Sequence, residues 1–296
     1  MASVELLVVL QRMGSRMAES KIALGVCVVG ALLGWAAPAS ALECSTKYFV
    51  YASEQLNVGD RSTISYGSIG AGIGAQLGVS ARVQGSLVAD SITLRNNALL
   101  NGSAYTNHPV TLQQGARILG QSLPISPGFL CTAPVIPTIT SNEDDVYVEG
   151  TVSLPPGHYG HLYVTPDSTL FLSGGDYHFE AVVFEPDSSV VGVWQGQPAR
   201  LLVSGGVMFG DRHQQSISRP GSNANTRAGI VLYSLQSDQL RLGTDSVIYS
   251  QIIAPFAEVN VPSRTEVRAP IYGRNVRVEP DSSIGAPVTS QPNACQ

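Results

Sequence analysis

From about residue 50 onward the chain alternates short apolar-x-apolar strings with small or polar residues. No window sustains the 3.6-residue apolar period of an amphipathic helix. The alternation itself repeats. Ala81-x-Val83-x-Gly85, Ala98-x-Leu100-x-Gly102 and Ala116-x-Ile118-x-Gly120 follow one another at steps of 17 and 18 residues. Ile92-Thr93-Leu94 and Val110-Thr111-Leu112 are also 18 apart, and residues 57–64 (NVGDRSTI) form a looser copy. A second version, apolar-x-Pro-x-Ser-x-apolar, runs from Val164 to Leu170, from Phe184 to Val190 and from Val278 to Ile284. Weaker copies lie at residues 242–247 (LGTDSV) and 261–267 (VPSRTEV).

Each copy reads as a short half-buried strand followed by a turn, with Pro presetting φ and Asp and Ser bonding back to the chain. One such unit cannot bury its apolar side alone, but stacked units bury a continuous column. A period of 17–20 residues is too short for a propeller blade, and it fits one coil of a solenoid. The expected fold is therefore all-β: a single-stranded parallel β-helix in two stacked segments. Residues 42–123 and 143–288 supply the coils. Residues 124–142 (PISPGFLCTAPVIPTITSN), rich in proline and without alternation, form a linker or strap, and 289–296 a tail.

Residues 22–35 are apolar but too short to span a bilayer. Arg16 and Lys21 precede them and Ala39-Ser40-Ala41 follows, the pattern of a secretory signal peptide over residues 1–41. The expectation is export to the periplasm, cell surface or exterior, with no lipid anchor and no membrane span in the mature chain. In an oxidising compartment Cys44, Cys131 and Cys295 are candidates for one disulfide and one spare thiol, and both Cys44–Cys131 and Cys131–Cys295 are open pairings.

Composition sharpens this picture. Only 13% of residues are charged while 44% are apolar, with 30 Gly and 18 Pro, which excludes both a disordered chain and a helical bundle. A net charge of −5 gives no electrostatic reason to expect a nucleic-acid partner.

The strings Leu154-Pro155-Pro156-Gly157-x-Tyr159 and Leu170-x-Leu172-x-Gly174-Gly175-x-Tyr177-x-Phe179 resemble a group of secreted bacterial β-helix proteins, mostly of unknown function. The stacked N-terminal units are similar to bactofilins and other polymer-forming modules. The resemblance covers residues 50–288 and implies a right-handed parallel β-helix, but it says little about activity. Bactofilins are cytosolic and lack a leader, so their cytoskeletal role does not carry over.

Candidate chemistry is sparse. His158, His161 and His178, near Asp176 and Glu180, lack the spacing and third fixed ligand of a zinc site. Glu143-Asp144-Asp145, Asp167 and Asp187 could suit calcium, but the glycine-rich nonapeptide of calcium β-rolls is absent. The string from Gly70 to Ala75 matches G-x-G-x-x-A without the helix a dinucleotide needs. Only Thr93 and Thr111 align into a threonine ladder, too few for an ice-binding face. No metal, cofactor or catalytic set is expected.

Residues 210–229 (GDRHQQSISRPGSNANTRAG) interrupt the coils with a polar loop. There Asp211, Arg212, His213, Arg219 and Arg227 are candidates for binding an anionic or sugar ligand. Arg264, Arg268, Arg274 and Arg277, interspersed with Glu258, Glu266 and Glu279, read as a solvated mixed-charge face. The role expected is structural, adhesive or surface-assembly, with polysaccharide, envelope components or further copies of the chain as partners. The competing role is a polysaccharide lyase or hydrolase.

Overall fold

The computed structural model describes residues 43–218 and 229–286. Residues 1–41, where the sequence suggests a leader, and Cys295 fall outside them. Within them the chain is nearly all β and every paired strand is parallel. Helix is confined to a single turn at Cys44–Lys47 and a 3-10 turn at Pro127–Phe129.

Three flat faces wind around one apolar column, so each coil contributes a strand to each face. On the first face the in-register inward positions run Tyr177, Leu201, Leu232, Ile252, Ile271, Val50, Ile69, Leu87 and Ala104. On the third they include Leu170, Val190, Gln215, Ile248, Val267, Ile284, Ile64, Val83 and Leu100. All of these aliphatic and aromatic residues belong to one core cluster. The misfit, Gln215, is buried because its Oε1 accepts from the N–H groups of Tyr249 and Ser250 and from the Ser250 hydroxyl.

The order of the coils is not the order of the chain. Strand Val50–Ala52 pairs on one side with Ile69–Ala71 and on the other with Ile271–Val278. Thr63–Ile64 likewise pairs with Ser283–Ile284. The C-terminal segment therefore stacks ahead of the N-terminal one, and the two ends of the described chain meet in mid-solenoid. Residues 124–142 must then travel the whole length of the molecule. Eleven strands at a spacing of about 4.8 Å make about 48 Å, within reach of that many extended residues.

The strap's route explains an otherwise puzzling ladder. The outward positions of the first face read Leu202, Tyr233, Ile253, Tyr272, Tyr51, Gly70, Val88 and Tyr105, unusually apolar for solvent. The strap covers them. Phe129 packs on Tyr105 with ring centroids 4.0 Å apart, and the Tyr48 hydroxyl donates to the Phe129 carbonyl at 2.6 Å. Cys131 and Ile136 pack against Val231, Ile253, Tyr272 and Tyr233. Further along, the Thr140 N–H donates to Nδ1 of His178. Cys131 is bonded to Cys44, which resolves the open pairing and pins the strap at mid-length.

The turns between the second and third faces are just as regular. One residue per coil adopts the left-handed conformation: Asp167, Asp187, Arg212, Asp245, Arg264, Asp281, Arg61, Ser80 and Asn97 in stacking order, with φ of 56–62°, the first seven all charged. From Asp187 to Arg61 acid and base alternate, and neighbours pair through two hydrogen bonds each. Arg212 Nε reaches Asp187 at 2.6 Å, Arg264 reaches Asp245 at 2.6 Å, and Arg61 reaches Asp281 at 2.7 Å. The last pair bridges the two segments, 220 residues apart in sequence. The hydrogen-bonded guanidinium holds each carboxyl below its ordinary range. The ladder's contribution is therefore present above about pH 3.8 and fades as pH falls through the depressed folded values.

Because the backbone at Asp245 sits at φ 56°, Asp245→Val should lower the melting temperature more than Asp245→Asn or Asp245→Gly, although all three lose the ion pair. Thermal unfolding of the three variants reads this ranking.

Candidate functional site

The sequence-based candidates occupy different places from those expected. Residues 210–218 are not loop. Gln214–Ser218 is a regular strand paired on both sides, and Asp211-Arg212-His213 is the same corner as Pro186-Asp187-Ser188 one coil earlier. The polar composition concealed a coil, because this turn uses Asp-Arg where the recognisable copies use Pro-Asp.

Arg212 is committed to Asp187, and Asp211 Oδ1 accepts from the Thr244 N–H at 2.8 Å. His213 points inward. It is fully buried between Phe184 and Phe209, and its Nδ1 lies 2.9 Å from the Ser188 hydroxyl. Burial pushes its imidazole down to about 3, so it is neutral and faces no groove. Arg219 and Arg227 lie outside the described residues.

The histidines are split between two faces. His158 and His178 stack 4.3 Å apart under the strap, while His161 pairs with Asp145 at 2.9 Å on the second face. Glycines 70, 72 and 74 serve strands Ile69–Ala71 and Gly74–Leu77 and the turn between them. Arg264 belongs to the corner ladder, while Arg268 is largely buried and pairs with Glu266, so these two do not form one solvated face. Thr151 and Thr169 also align, a pair absent from the sequence-based reading, but Ser189 and Gln214 follow them in that line.

What the structure does bring together lies on the second face, near the start of the C-terminal segment. Tyr147, Tyr163, Val183 and Met208 are successive outward positions in exact register. Tyr147 is 65% exposed and Met208 51%. The two tyrosine rings are stacked, with centroids 5.0 Å apart and planes 12° from parallel, and the His161 ring flanks Tyr163 at 6.0 Å and 23°. Parallel pairing fixes this geometry, because identical side chains one coil apart must stand side by side.

The Asp145 carboxylate accepts from the His161 N–H at 2.7 Å and from its ring, which holds it below the ordinary carboxylate range. Beyond Val183 the platform opens into a cleft of about 510 Å³ lined by Ala181, Gly205, Gly206, Gln236, Asp238 and Gln239. Its floor is held by the Val207 N–H donating to Gln236 Oε1 at 2.6 Å. The signal was present in the sequence: Val146-Tyr147-Val148 and Leu162-Tyr163-Val164 are 16 residues apart, one coil, but neither string was singled out.

The pairing registers and three-faced column define the class: a parallel β-helix protein. No family model matches the chain. No curated protein matches it either. Among solved structures it is similar to an ice-binding protein from the Antarctic ascomycete Antarctomyces psychrotrophicus, at 12% identity and a TM-score of 0.39, over 84% of this chain and 100% of that one. The fold assignment rests on the registers above and not on that likeness.

Proposed function

We propose that this chain is an exported, non-catalytic β-helix that adheres to polysaccharide through its second face, in the surface setting that the leader-like segment and the resemblance to secreted bacterial β-helices imply. The observation that carries the reading is the stacked Tyr147–Tyr163 pair, with Tyr147 65% exposed, leading into a polar cleft. The exposed parts of this aromatic stack, above all the Tyr147 ring, offer sugar C–H groups an apolar contact at little entropic cost, while Asp145, His161, Gln236 and Gln239 supply hydrogen-bonding groups at the edges. The strand repeat of about 4.8 Å is also close to the length of one pyranose unit, so a periodic polymer meets a periodic surface. The Cys44–Cys131 disulfide suits an oxidising exterior, and none of the described helices is long and apolar enough to cross a membrane.

Affinity electrophoresis through gels containing neutral or uronate polysaccharides tests the proposal. At least one polysaccharide should retard the protein, and Tyr147→Ser and Tyr163→Ser should each weaken retention about tenfold, the usual size of one lost stacking contact. Retention by none, or retention indifferent to both substitutions, would refute it. Cleavage of the polysaccharide abolished by Asp145→Asn would instead support the enzymatic alternative, with the Asp145–His161 pair as its acid–base group.

A further inference from the structure

The apolar column is open at the end of the N-terminal segment, while at the other extremity Tyr159 lies over Gly157 and stacks on Phe179, partly closing it. The half-buried hydrophobic residues that pack against the core are Val110, Ala116 and Ile118 in the last coil of the N-terminal segment, and Val146, Val152 and Tyr159 in the first coil of the C-terminal segment. These are the two extremities of the stack. In the last coil the inward-facing Leu112 is 49% exposed, and Leu119 on the rim is 64% exposed. Strands Thr111–Leu112 and Arg117–Ile118 have a partner on one side only, as does Val146–Val148 at the other extremity. Each extremity thus presents unpaired backbone groups, around exposed Leu112 at one end and around half-buried Val146, Val152 and Tyr159 at the other.

The two ends match. All strands run parallel, so the first coil of one molecule can continue the three faces of another without changing direction. The corner residues at both ends, Gly115 and Gly150, hold the same left-handed conformation, φ 74° and 72°, and a Cβ at Gly150 would meet nothing within 4 Å. The ends also carry opposite charge. Residues 118–199 contain no Lys or Arg, and the first coil brings Glu143, Asp144, Asp145 and Glu149 to its end. Residues 78–123 carry Arg82, Arg95 and Arg117 against Asp90 alone.

We propose that the protein assembles head to tail, the acidic first coil of one copy docking on the arginine-bearing last coil of the next. The contact is heterologous, so it leaves one free end of each kind and propagates into rods instead of closing as a dimer. Stacking buries Leu112, Ile118, Val146 and Val152 and pairs the free edges. The inference does not depend on polysaccharide binding.

Sedimentation velocity of the purified chain over a concentration series, with negative-stain microscopy, tests it. At about 20 mM salt, where the Debye length is about 20 Å, rods should grow in steps of about 50 Å. At about 500 mM salt, where it is about 4 Å, association should weaken at least tenfold. Leu112→Glu, which sets an acid against the acidic end, should leave monomers. Arg117→Glu, at an exposed site, should weaken association about tenfold with the circular dichroism of the monomer unchanged. Mixing Arg117→Glu with Glu149→Arg should restore rods, since each mutated end then meets its complement. A monomer at every concentration and salt would overturn the proposal, as would closed dimers indifferent to Leu112→Glu.

Discussion

Replacing Cys44 or Cys131 with serine should lower the melting temperature by roughly 10–15 °C. The bond closes a loop across 87 residues of sequence separation, worth about 4–5 kcal/mol in the chain-entropy model, and a domain of this size shifts about 2–4 °C per kcal/mol. The mechanism here is specific. The disulfide is the covalent anchor of a strap held otherwise by isolated bonds, such as Tyr48 to the Phe129 carbonyl and Lys47 to the Leu130 carbonyl. Released, the strap uncovers Tyr272, Ile253 and Tyr233 on the first face. The serine variants should therefore bind a hydrophobic dye more strongly while keeping native far-ultraviolet circular dichroism, because no ladder pairing depends on the bond. Calorimetry with and without reductant reads the stability change. A shift under about 3 °C would mean that the strap is held without the bond.

The second large effect is acid lability through His213. Its imidazole is fully buried, and Nε2 has no hydrogen-bonding partner among the described residues. Burial lowers its folded value to about 3, from 6.5 in the unfolded chain. Between those values the unfolded state binds one proton more than the folded state, so stability rises with pH there. The contribution is complete above pH 6.5 and is lost progressively on acidification, on the order of 3 kcal/mol by pH 4.5. His178, also lowered by burial and by its neighbour His158, acts in the same direction. The corner carboxylates act only below about pH 3.8, so the window from 6.5 to 4 belongs to the histidines. His213→Ser copies the residue found at the equivalent corners, Ser188 and Ser246, and should flatten most of that slope in denaturant titrations. An unchanged slope would contradict the assignment.

Much of this architecture was legible in the sequence because it is periodic. The copies around Val164, Phe184 and Val278 are corners of successive coils, and their Asp residues adopt the left-handed conformation that turn chemistry suggests. Even the looser copies, residues 57–64, 242–247 and 261–267, fall on the same corner ladder. The alternation of Asp and Arg along it was not legible, because Arg61, Arg212 and Arg264 are unusual left-handed residues whose selection comes from the neighbouring coil, not from their own turn. His213 misled for a related reason: a polar residue in a polar stretch reads as surface, yet every inward corner position in this solenoid is small or polar, as Ser188, Ser246 and Thr265 show. Coil order was hidden most deeply. Any apolar strand can stack on any other, so periodicity carries no record of which coil lies beside which. The apolar outward ladder of Tyr51, Tyr272 and Ile253 marked a covered face, but only the strap's path shows what covers it.

The described chain forms one continuous column in which the coil of Ile271–Ile284 stacks on the coil of Val50–Ile64, keeping all three faces unbroken. Spin labels at Thr63→Cys and Ser283→Cys, in a Cys295→Ser background, test it most directly, since these positions are paired across the seam. Strong dipolar broadening and a separation under about 15 Å are expected, as for labels on neighbouring strands. A separation near 48 Å, ten strand spacings, is what segments stacked in chain order would give, and it would contradict the account.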